Sequence, residues 1–373
     1  MPDRAAMQRV FLHIGLPKTG TSYLQSIIWP HRDRLQELGV RVPGREKRDH
    51  LLASLIVRDD PAVQRRGPGA DRAWSVVCEQ VAAHAGTSLV SHEFFCSASA
   101  EQWVRAVADL APAEVHVVIT AREPLGLFTS SWQESLKNRS TTPLADYGRS
   151  ESEDPKVVWD WRALDLGLVL ERLRDAVPDE RVHVVVGPGP GDPRDELWRR
   201  FAGVIGVDPD AVPHDRAFSN SSMGVVEAEL LRRLNAHLGE LHSARDRARW
   251  IRTFLADGLL VTPDAERFWP DDDQVADARR RGERALALLG AGSYDVVGDR
   301  SLLRVPDDLP ARRHPADVTE AELLSASVLL NARLVGEVRR RTRATEEPAD
   351  PSVPLPRRAY NRLMRRTARR ATG

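Results

Sequence analysis

Residues 15–22, GLPKTGTS, form a glycine-rich turn whose residue types are suited to binding an anion. The turn follows a short apolar run at 9–14 and precedes a helical pattern. A strand, a glycine turn and a helix start together direct backbone N–H groups and the positive end of the helix dipole at one place. Lys18 adds a positive charge there, and Thr21 and Ser22 can cap the helix and donate hydroxyl groups to phosphate oxygens. We therefore predict an anion-binding loop; the alternative is a plain tight turn with a solvent-exposed lysine.

The position of the lysine distinguishes this turn from the ATP-binding P-loop. Gly15 and Gly20 have the spacing of G-x-x-x-x-G-K-[ST], but Lys18 precedes Gly20 and Thr21 stands at the usual lysine position. In a P-loop the lysine must reach the β- and γ-phosphates, and the next hydroxyl binds magnesium. The displaced lysine indicates an anionic ligand shorter than a nucleoside triphosphate.

A second cationic group follows the apolar strand predicted at 114–120. Arg122 comes directly after the strand, where ligands bind in open α/β sheets. Ser130 lies on the next predicted helix, on the side away from its apolar stripe. An arginine and a hydroxyl can together hold a phosphate dianion. The alternative is an exposed Arg122 that pairs with Glu123 or Glu134 beside a surface serine.

A histidine and a carboxylate, His92 and Glu93, follow the strand predicted at 87–91. Either can act as a general base, since histidine titrates near neutrality and burial can raise the pKa of a glutamate. The plainer alternative is a solvent-exposed His-Glu pair. With Cys96 the segment also mimics a zinc motif, but no third ligand is near in the sequence.

Helical patterns separate these strands, and a fourth apolar run lies at 181–186. This alternation predicts an α/β fold with a central parallel sheet and helices on both faces. The second half is mostly helical, with patterns at about 222–238, 244–256, 275–289 and 318–342. Residues 347–356 are typical of a Pro-rich linker, and 357–373 form a basic tail able to contact an anionic membrane surface weakly.

Composition argues against several classes of protein. The 373 residues are 42% hydrophobic, which suffices for a large core, and the formal net charge is zero. Global charge therefore indicates neither a nucleic acid nor a membrane as partner. The two cysteines, Cys78 and Cys96, fit a reducing compartment, and the first residues lack the apolar segment of a signal peptide. No run approaches the roughly 20 apolar residues of a membrane helix, so we expect a cytoplasmic protein.

Taken together, the three segments resemble the sulfotransferase family that uses 3′-phosphoadenosine 5′-phosphosulfate (PAPS). LPKTGTSYLQ is similar to the family's 5′-phosphosulfate loop. VVITAREPLGLFTSSW is similar to its 3′-phosphate element, in which a serine follows a strand-end arginine by eight positions. SHEFF lies between them, where the family often carries its catalytic base. The resemblance covers residues 8–140, continues more loosely to LWRRFAGVIGV, and is strongest to a bacterial, actinobacterial-type branch.

The resemblance implies a P-loop-like three-layer α/β domain with a parallel sheet of about five strands and no metal requirement. It implies that PAPS donates a sulfuryl group by in-line transfer to an acceptor hydroxyl or, as second choice, an amine. The residues implied to hold the 5′-phosphosulfate are Pro17, Lys18, Thr19, Gly20, Thr21 and Ser22, and those for the 3′-phosphate are Arg122 and Ser130. Lys18 would also stabilise the leaving group, and His92, ahead of Glu93, would be the base.

Two departures from the family matter, and one of them is that the base is ambiguous between His92 and Glu93. The late arginine-lysine-glycine segment with which some members hold the 3′-phosphate has no clear counterpart, and 216–222 is the nearest substitute. The rival functions are a P-loop kinase or nucleotidase, which needs ATP and magnesium, and a non-catalytic binding protein on the same fold. We expect one domain over 1–346, with a helical acceptor side at about 207–346. The expected acceptor is a small molecule, a carbohydrate or a lipid, and no nucleic-acid partner is expected.

Overall fold

The computed structural model describes residues 8–214, 222–262 and 265–346. Its strands are β1 Arg9–His13, β2 Val40–Arg41, β3 Thr87–Ser91, β4 Glu114–Ala121, β5 Val182–Val186 and β6 Asp295–Val297. They form one sheet in the order β2-β3-β1-β4-β5-β6, and every neighbouring pair is parallel.

The helices of the described residues are α1 Thr21–Ile28, α2 Arg32–Glu37, α3 Lys47–Val57, α4 Ala73–Ala82, α5 Ala100–Asp109, α6 Pro124–Lys137, α7 Trp161–Leu164, α8 Leu166–Leu173, α9 Glu196–Val204, α10 Val225–Asn235, α11 Ala244–Asp246, α12 Asp272–Ala291 and α13 Glu320–Glu346. A π-helical segment, Arg247–Leu260, directly follows α11. Short 3₁₀ turns connect several elements, and one of them, Glu93–Ser97, follows β3.

The strands are apolar on both sides, and the sheet is covered on both faces. Successive residues of β1, namely Val10, Phe11 and Leu12, point to opposite faces and are each at most 3% exposed. Helices α1 and α9 pack on the face of Phe11, where Leu24 and Trp198 join its core cluster. Strands buried on both sides are typical of parallel sheets with helical layers.

The order of the strands places a change of direction at β1. The chain first adds β2 and β3 on one side of β1, and then returns to add β4, β5 and β6 on the other. In the register of the sheet, His13 at the end of β1 lies opposite Ser91 of β3 and Val118 of β4. Open α/β sheets bind ligands at the carboxyl ends of the strands where such a reversal occurs. Each of the three candidate segments follows one of these strands: the glycine-rich loop follows β1, His92 follows β3 and Arg122 follows β4.

The predicted α/β fold with a central parallel sheet is confirmed. Strands predicted from the apolar runs match β1, β3, β4 and β5 to within one residue at each end. The sheet has six strands where about five were expected. Strands β2 and β6 are two and three residues long, too short to show an alternating pattern. Helix α3 was also missed, because the apolar residues of its sequence KRDHLLASLIV form only a weak stripe.

The second half is helical, as predicted, although the expected helix at 244–256 is divided into α11 and the π-helical segment. The chain forms two compact units, Met1–Leu323 and Leu324–Gly373, and only 324–346 of the second is described. The domain end predicted at 346 therefore stays a prediction. The linker and basic tail at 347–373 and most of the substitute segment 216–222 lie outside the described residues. Within the described ranges, no helix has the length and apolar character needed to cross a bilayer.

Candidate active site

The loop between β1 and α1 turns sharply at the carboxyl edge of the sheet. Gly15, Lys18 and Gly20 have φ angles of +47°, +68° and +102°, all in the left-handed region. Gly20 is also the N-cap of α1, and a Cβ at this position would collide with Leu197 of α9. The loop therefore requires glycine at position 20. Lys18 is held in a conformation that non-glycine residues rarely adopt, and such strain is concentrated at functional sites.

Hydrogen bonds anchor the loop to the neighbouring strand β4. The Leu16 N–H donates to the Thr120 carbonyl at 2.9 Å. The Thr19 hydroxyl donates to the Leu16 carbonyl at 2.6 Å and lies 2.7 Å from the Thr120 hydroxyl. The buried Thr19 side chain is thus used to hold the loop, and only its backbone is left for a ligand. Lys18 and Ser22, in contrast, are exposed.

The start of α1 has polar groups for which the described part of the chain provides no partner. Gly20 has no side chain, so no cap hydrogen bond reaches the first-turn N–H groups of Thr21 and Ser22 from the N-cap. The Thr21 hydroxyl is buried and has no hydrogen-bond partner within the part of the chain that the structure describes. A Cβ on Gly15 would lie 2.6 Å from this hydroxyl, so glycine is needed to leave the space open. Helix N-termini with free N–H groups bind anions.

The far end of Lys18 contacts a buried carboxylate. Its Nζ donates to Oε2 of Glu134 at 3.0 Å, and the other carboxylate oxygen of Glu134 binds Arg252 of the π-helical segment. The Glu134 side chain is 5% exposed, against 35% for Lys18. Burial by itself raises the pKa of Glu134, but the charges of Lys18 and Arg252 outweigh burial and hold that pKa below its usual value. The carboxylate is therefore ionised at neutral pH.

Two buried histidines fix the carboxyl end of β3. His13 Nδ1 lies 2.8 Å from Ser91 Oγ, and the Ser91 N–H donates to His50 Nδ1 at 3.1 Å. The Gln25 amide adds a hydrogen bond to the Ser91 carbonyl at 2.7 Å. Burial lowers the pKa of His13 to about 3 and that of His50 to about 4, so both rings are neutral at pH 7. The strand end from which His92 departs is thus held by three side chains.

His92 follows β3 directly and is the N-cap of the turn Glu93–Ser97. Its Nδ1 accepts the Phe94 N–H at 3.1 Å, which in the neutral ring leaves the proton on Nε2. Burial lowers the pKa of His92 against the opposing charge of Glu93, so the ring is neutral at pH 7. A ring in this state can donate a hydrogen bond from Nε2 but has no free nitrogen to take a proton. The Glu93 carboxylate, 4.0 Å from Nδ1 and 21% exposed, can accept one.

Three arginines hold the turn that contains Glu93, two of them through main-chain carbonyls. Arg58 donates to the Ser97 hydroxyl at 3.3 Å, and Arg162 donates to the Ser97 carbonyl at 2.8 Å. Arg172 donates to the Cys96 carbonyl at 2.8 Å. Arg58 is the C-cap of α3, and Arg162 and Arg172 lie in α7 and α8, so three different parts of the chain fix the position of the turn. Hydrogen bonds from charged donors are among the stronger ones in proteins.

The zinc alternative has no support in the geometry of Cys96. The Cys96 thiol is buried and donates to the Ala163 carbonyl at 3.6 Å, away from His92. Among the described residues, no group of three or more histidine, cysteine, aspartate or glutamate side chains is arranged to hold a metal ion.

Arg122 and Ser130 lie at the carboxyl end of β4 and on the first turns of α6. The Arg122 side chain is 42% exposed, and its NH2 lies 3.4 Å from Glu123, one of the partners considered as an alternative from the sequence. Glu123 itself caps α6 at the Gly126 N–H. Ser130 is half-buried, and its hydroxyl donates to the Gly126 carbonyl at 2.7 Å. Both side chains are accessible to a ligand beside the start of α6, at the strand next to the β1 loop.

The predicted site residues therefore all follow the carboxyl ends of three adjacent strands, but the sequence missed the residues that position them. Glu134 was considered only as a partner of Arg122, and Arg252 and His50 gave no signal. His13 gave a weak signal, since it is a polar residue in an otherwise apolar strand, two positions before Gly15.

Comparisons with known proteins give one similarity. No model of a protein family matches the chain, and no curated protein matches it. A solved structure of a sulfotransferase from Alicyclobacillus acidocaldarius is similar, with 18% sequence identity, coverage of 61% of this chain and 90% of that chain, and a TM-score of 0.38. A TM-score of this size does not establish a shared fold, and the activity has to be inferred from the residues of the chain itself.

Proposed function

We propose that the chain is a sulfotransferase that moves a sulfuryl group from PAPS to an acceptor hydroxyl or, as second choice, an amine. The observation that carries the proposal is the adjacency of β3, β1 and β4. It brings a candidate base, a candidate anion-binding loop, the exposed Arg122 and the half-buried Ser130 to one edge of a parallel sheet. A donor with separate 5′- and 3′-phosphate groups needs two anion sites, and a group transfer needs a proton acceptor between donor and acceptor.

The residues fit the donor at both of its charged ends. The 5′-phosphosulfate is suited by the first turn of α1, Ser22, Lys18 and the Thr21 hydroxyl, which has no partner among the described residues. Arg122 and Ser130 suit the 3′-phosphate dianion, since both have polar groups accessible at the next strand. The short loop with its displaced lysine suits a phosphosulfate better than a triphosphate chain.

In the proposed reaction the acceptor oxygen attacks sulfur in line with the bond that breaks. The new O–S bond forms as the bond between sulfur and the 5′-phosphate oxygen breaks, and adenosine 3′,5′-bisphosphate leaves with that electron pair. Lys18 stabilises the negative charge that grows on the leaving oxygen. The acceptor proton passes to Glu93, because the proton on Nε2 of His92 leaves that ring without a free acceptor. His92 instead donates a hydrogen bond to a sulfuryl oxygen.

The decisive test of the proposal is the binding of adenosine 3′,5′-bisphosphate in the presence of a magnesium chelator. We expect calorimetry to show binding without metal, and ATP with magnesium to compete poorly. Tight binding of ATP that requires magnesium, with no binding of the bisphosphate, would instead assign the chain to the kinase or nucleotidase class.

The class of acceptor needs a second measurement. Small-molecule, carbohydrate and lipid hydroxyls are all compatible with the proposal, and the two free cysteines fit a reaction in the cytoplasm. Mass spectrometry of cell extract incubated with PAPS and the protein should reveal products heavier by one sulfuryl group. Binding of the bisphosphate without any such product, across polar and lipid extracts, would favour a non-catalytic binding protein.

A further inference from the structure

Glu134 is a buried carboxylate that joins the candidate donor loop to the helical second half. One of its oxygens accepts Lys18 of the loop at 3.0 Å, and the other binds Arg252 of the π-helical segment. One turn further along α6, Lys137 forms a second ion pair with the same segment, through Asp257. Two ion pairs thus connect α6 with the π-helical segment, but only the one at Glu134 includes the loop.

A carboxylate beside an anion site is unfavourable for the ligand unless its charge is cancelled. Without Arg252, Glu134 and Lys18 would form an ion pair with no net charge. A dianionic ligand would then gain little from the lysine. With Arg252, the three side chains carry one net positive charge, from two cations and one anion. Because both cations bind the same carboxylate, their charged ends are neighbours beside the loop.

We propose, on the basis of the sulfotransferase function above, that Glu134 is a positioning residue for Lys18 and that Arg252 determines donor affinity by cancelling the charge of Glu134. A lysine side chain has a long, flexible stem, and an ion pair with a buried carboxylate fixes the direction of its ammonium group. The ammonium has three N–H donors, so it can keep Glu134 and bind the leaving phosphate oxygen at the same time. Arg252 is then a part of the donor site supplied by the helical half.

If the proposal is right, the affinity for adenosine 3′,5′-bisphosphate depends on the net charge of Lys18, Glu134 and Arg252. Glu134→Gln leaves two uncompensated cations, and we expect it to bind the bisphosphate roughly fivefold to tenfold more tightly, the effect of one nearby charge in a half-buried site. Its turnover should fall by about tenfold, because Lys18 is no longer held in one direction. Arg252→Gln leaves no net charge and should weaken binding by a similar factor. The double variant returns to one positive charge and to an affinity within about twofold of the unmodified protein.

Asp257→Asn is the matched control for Glu134→Gln. It also removes one negative charge and one ion pair between α6 and the π-helical segment, but it does not contact Lys18. We expect its bisphosphate affinity and turnover to stay within about twofold of the unmodified protein. A gain of affinity in Asp257→Asn equal to that in Glu134→Gln would reduce the effect to general charge and overturn the proposal.

The binding measurements separate this inference from the proposed function. If the unmodified protein does not bind the bisphosphate, the sulfotransferase proposal itself fails. If it binds, but Glu134→Gln binds more weakly or Arg252→Gln binds equally well, the positioning role is wrong while the proposed function stands. Should Glu134→Gln fail to fold, Arg252→Gln remains a test, since its side chain is one-third exposed. A weakened affinity recovered in Arg252→Lys supports the charge argument, and no weakening in Arg252→Gln refutes it.

Discussion

Polar side chains lie at both ends of the strands, which we call the amino edge and the carboxyl edge of the sheet. They are bonded in different ways at the two edges. At the amino edge, His116 Nδ1 lies 2.9 Å from His183 Nε2, and their outer nitrogens contact Glu114 at 2.9 Å and Asp295 at 2.7 Å. Every ring nitrogen there has a partner within the sheet. At the carboxyl edge, the Thr21 hydroxyl has none in the described residues, and Lys18 is strained and partly exposed.

This contrast shows why residue type alone does not identify a site. Two histidines and two carboxylates on adjacent strands contain enough chemistry for catalysis, yet at the amino edge they satisfy one another. Buried polar groups are normally paired, so an unpaired one needs an explanation, and a ligand is one. The carboxyl edge is where the loop, the helix start and the exposed cations leave bonding capacity unused. The variants below test the contrast, from the largest expected effect to the smallest.

Substitution of the proposed base, Glu93, should have the largest effect. Glu93→Gln removes the proposed proton acceptor, and we expect turnover to fall by about 10²–10⁴. His92→Gln keeps a hydrogen-bond donor near the same place and should cost less. Steady-state PAPS consumption with the identified acceptor measures both, and unchanged bisphosphate binding confirms that each variant is folded. The opposite ranking would return the base to His92, the first choice from the sequence.

Lys18→Ala should be the next most severe variant. It removes the cation that stabilises the leaving phosphate oxygen, so turnover should fall by about 10²–10³ while bisphosphate affinity falls less. Lys156→Ala is a suitable control, because Lys156 is one of the few other lysines and only pairs with Asp154 on the surface. Near-normal turnover of Lys18→Ala, or an equal loss in the control, would remove Lys18 from the mechanism.

Arg122→Ala tests the second anion site. Loss of a charged hydrogen-bond donor should weaken binding of adenosine 3′,5′-bisphosphate by roughly 1.5–3 kcal/mol. Binding of adenosine 5′-phosphate, which lacks the 3′-phosphate, should barely change. Calorimetry with both ligands distinguishes these outcomes, and equal losses for the two would place the 3′-phosphate elsewhere.

His183→Gln should have the smallest effect and tests the amino edge. It breaks the contacts to His116 and Asp295, and we expect the free energy of unfolding to fall by about 1 kcal/mol. Turnover and bisphosphate affinity should stay unchanged, because the network lies at the opposite ends of the strands. Denaturant unfolding and the turnover assay check both expectations. If the folded His183→Gln variant lost much of its turnover, the amino edge would also contribute to the reaction, and the proposed difference between the two edges would be wrong.

The sequence was sufficient for four of the six strands and for the segments that follow three of them, because these depend on local patterns. An apolar run followed by glycine predicts β1 and its loop, and a polar residue after each further run marks the strand ends. The missing parts depend on pairings between distant residues. Arg252 is 118 positions from Glu134, and His50 reaches Ser91 from a helix that had no clear periodicity.

The proton position on His92 could not be predicted either, because it depends on a backbone N–H two residues later. The sequence showed two adjacent candidates for the base and no means to rank them by geometry. In the structure His92 is the cap of the 3₁₀ turn and Glu93 its first residue, and our proposal that Glu93 is the base rests on this arrangement. A cap hydrogen bond of this kind is a property of the folded turn and not of either residue type.

The bonds from the three arginines to the turn after β3 bear on which side chains of that turn can change. Arg162 and Arg172 bind main-chain carbonyls, which every amino acid provides. These two bonds to the backbone do not depend on the side chain at position 94, which is half-buried beside Trp159. The Phe94 ring itself packs edge-on against His92 and lies under the Arg58 guanidinium. A smaller side chain at position 94 would therefore loosen His92 before it moves Glu93.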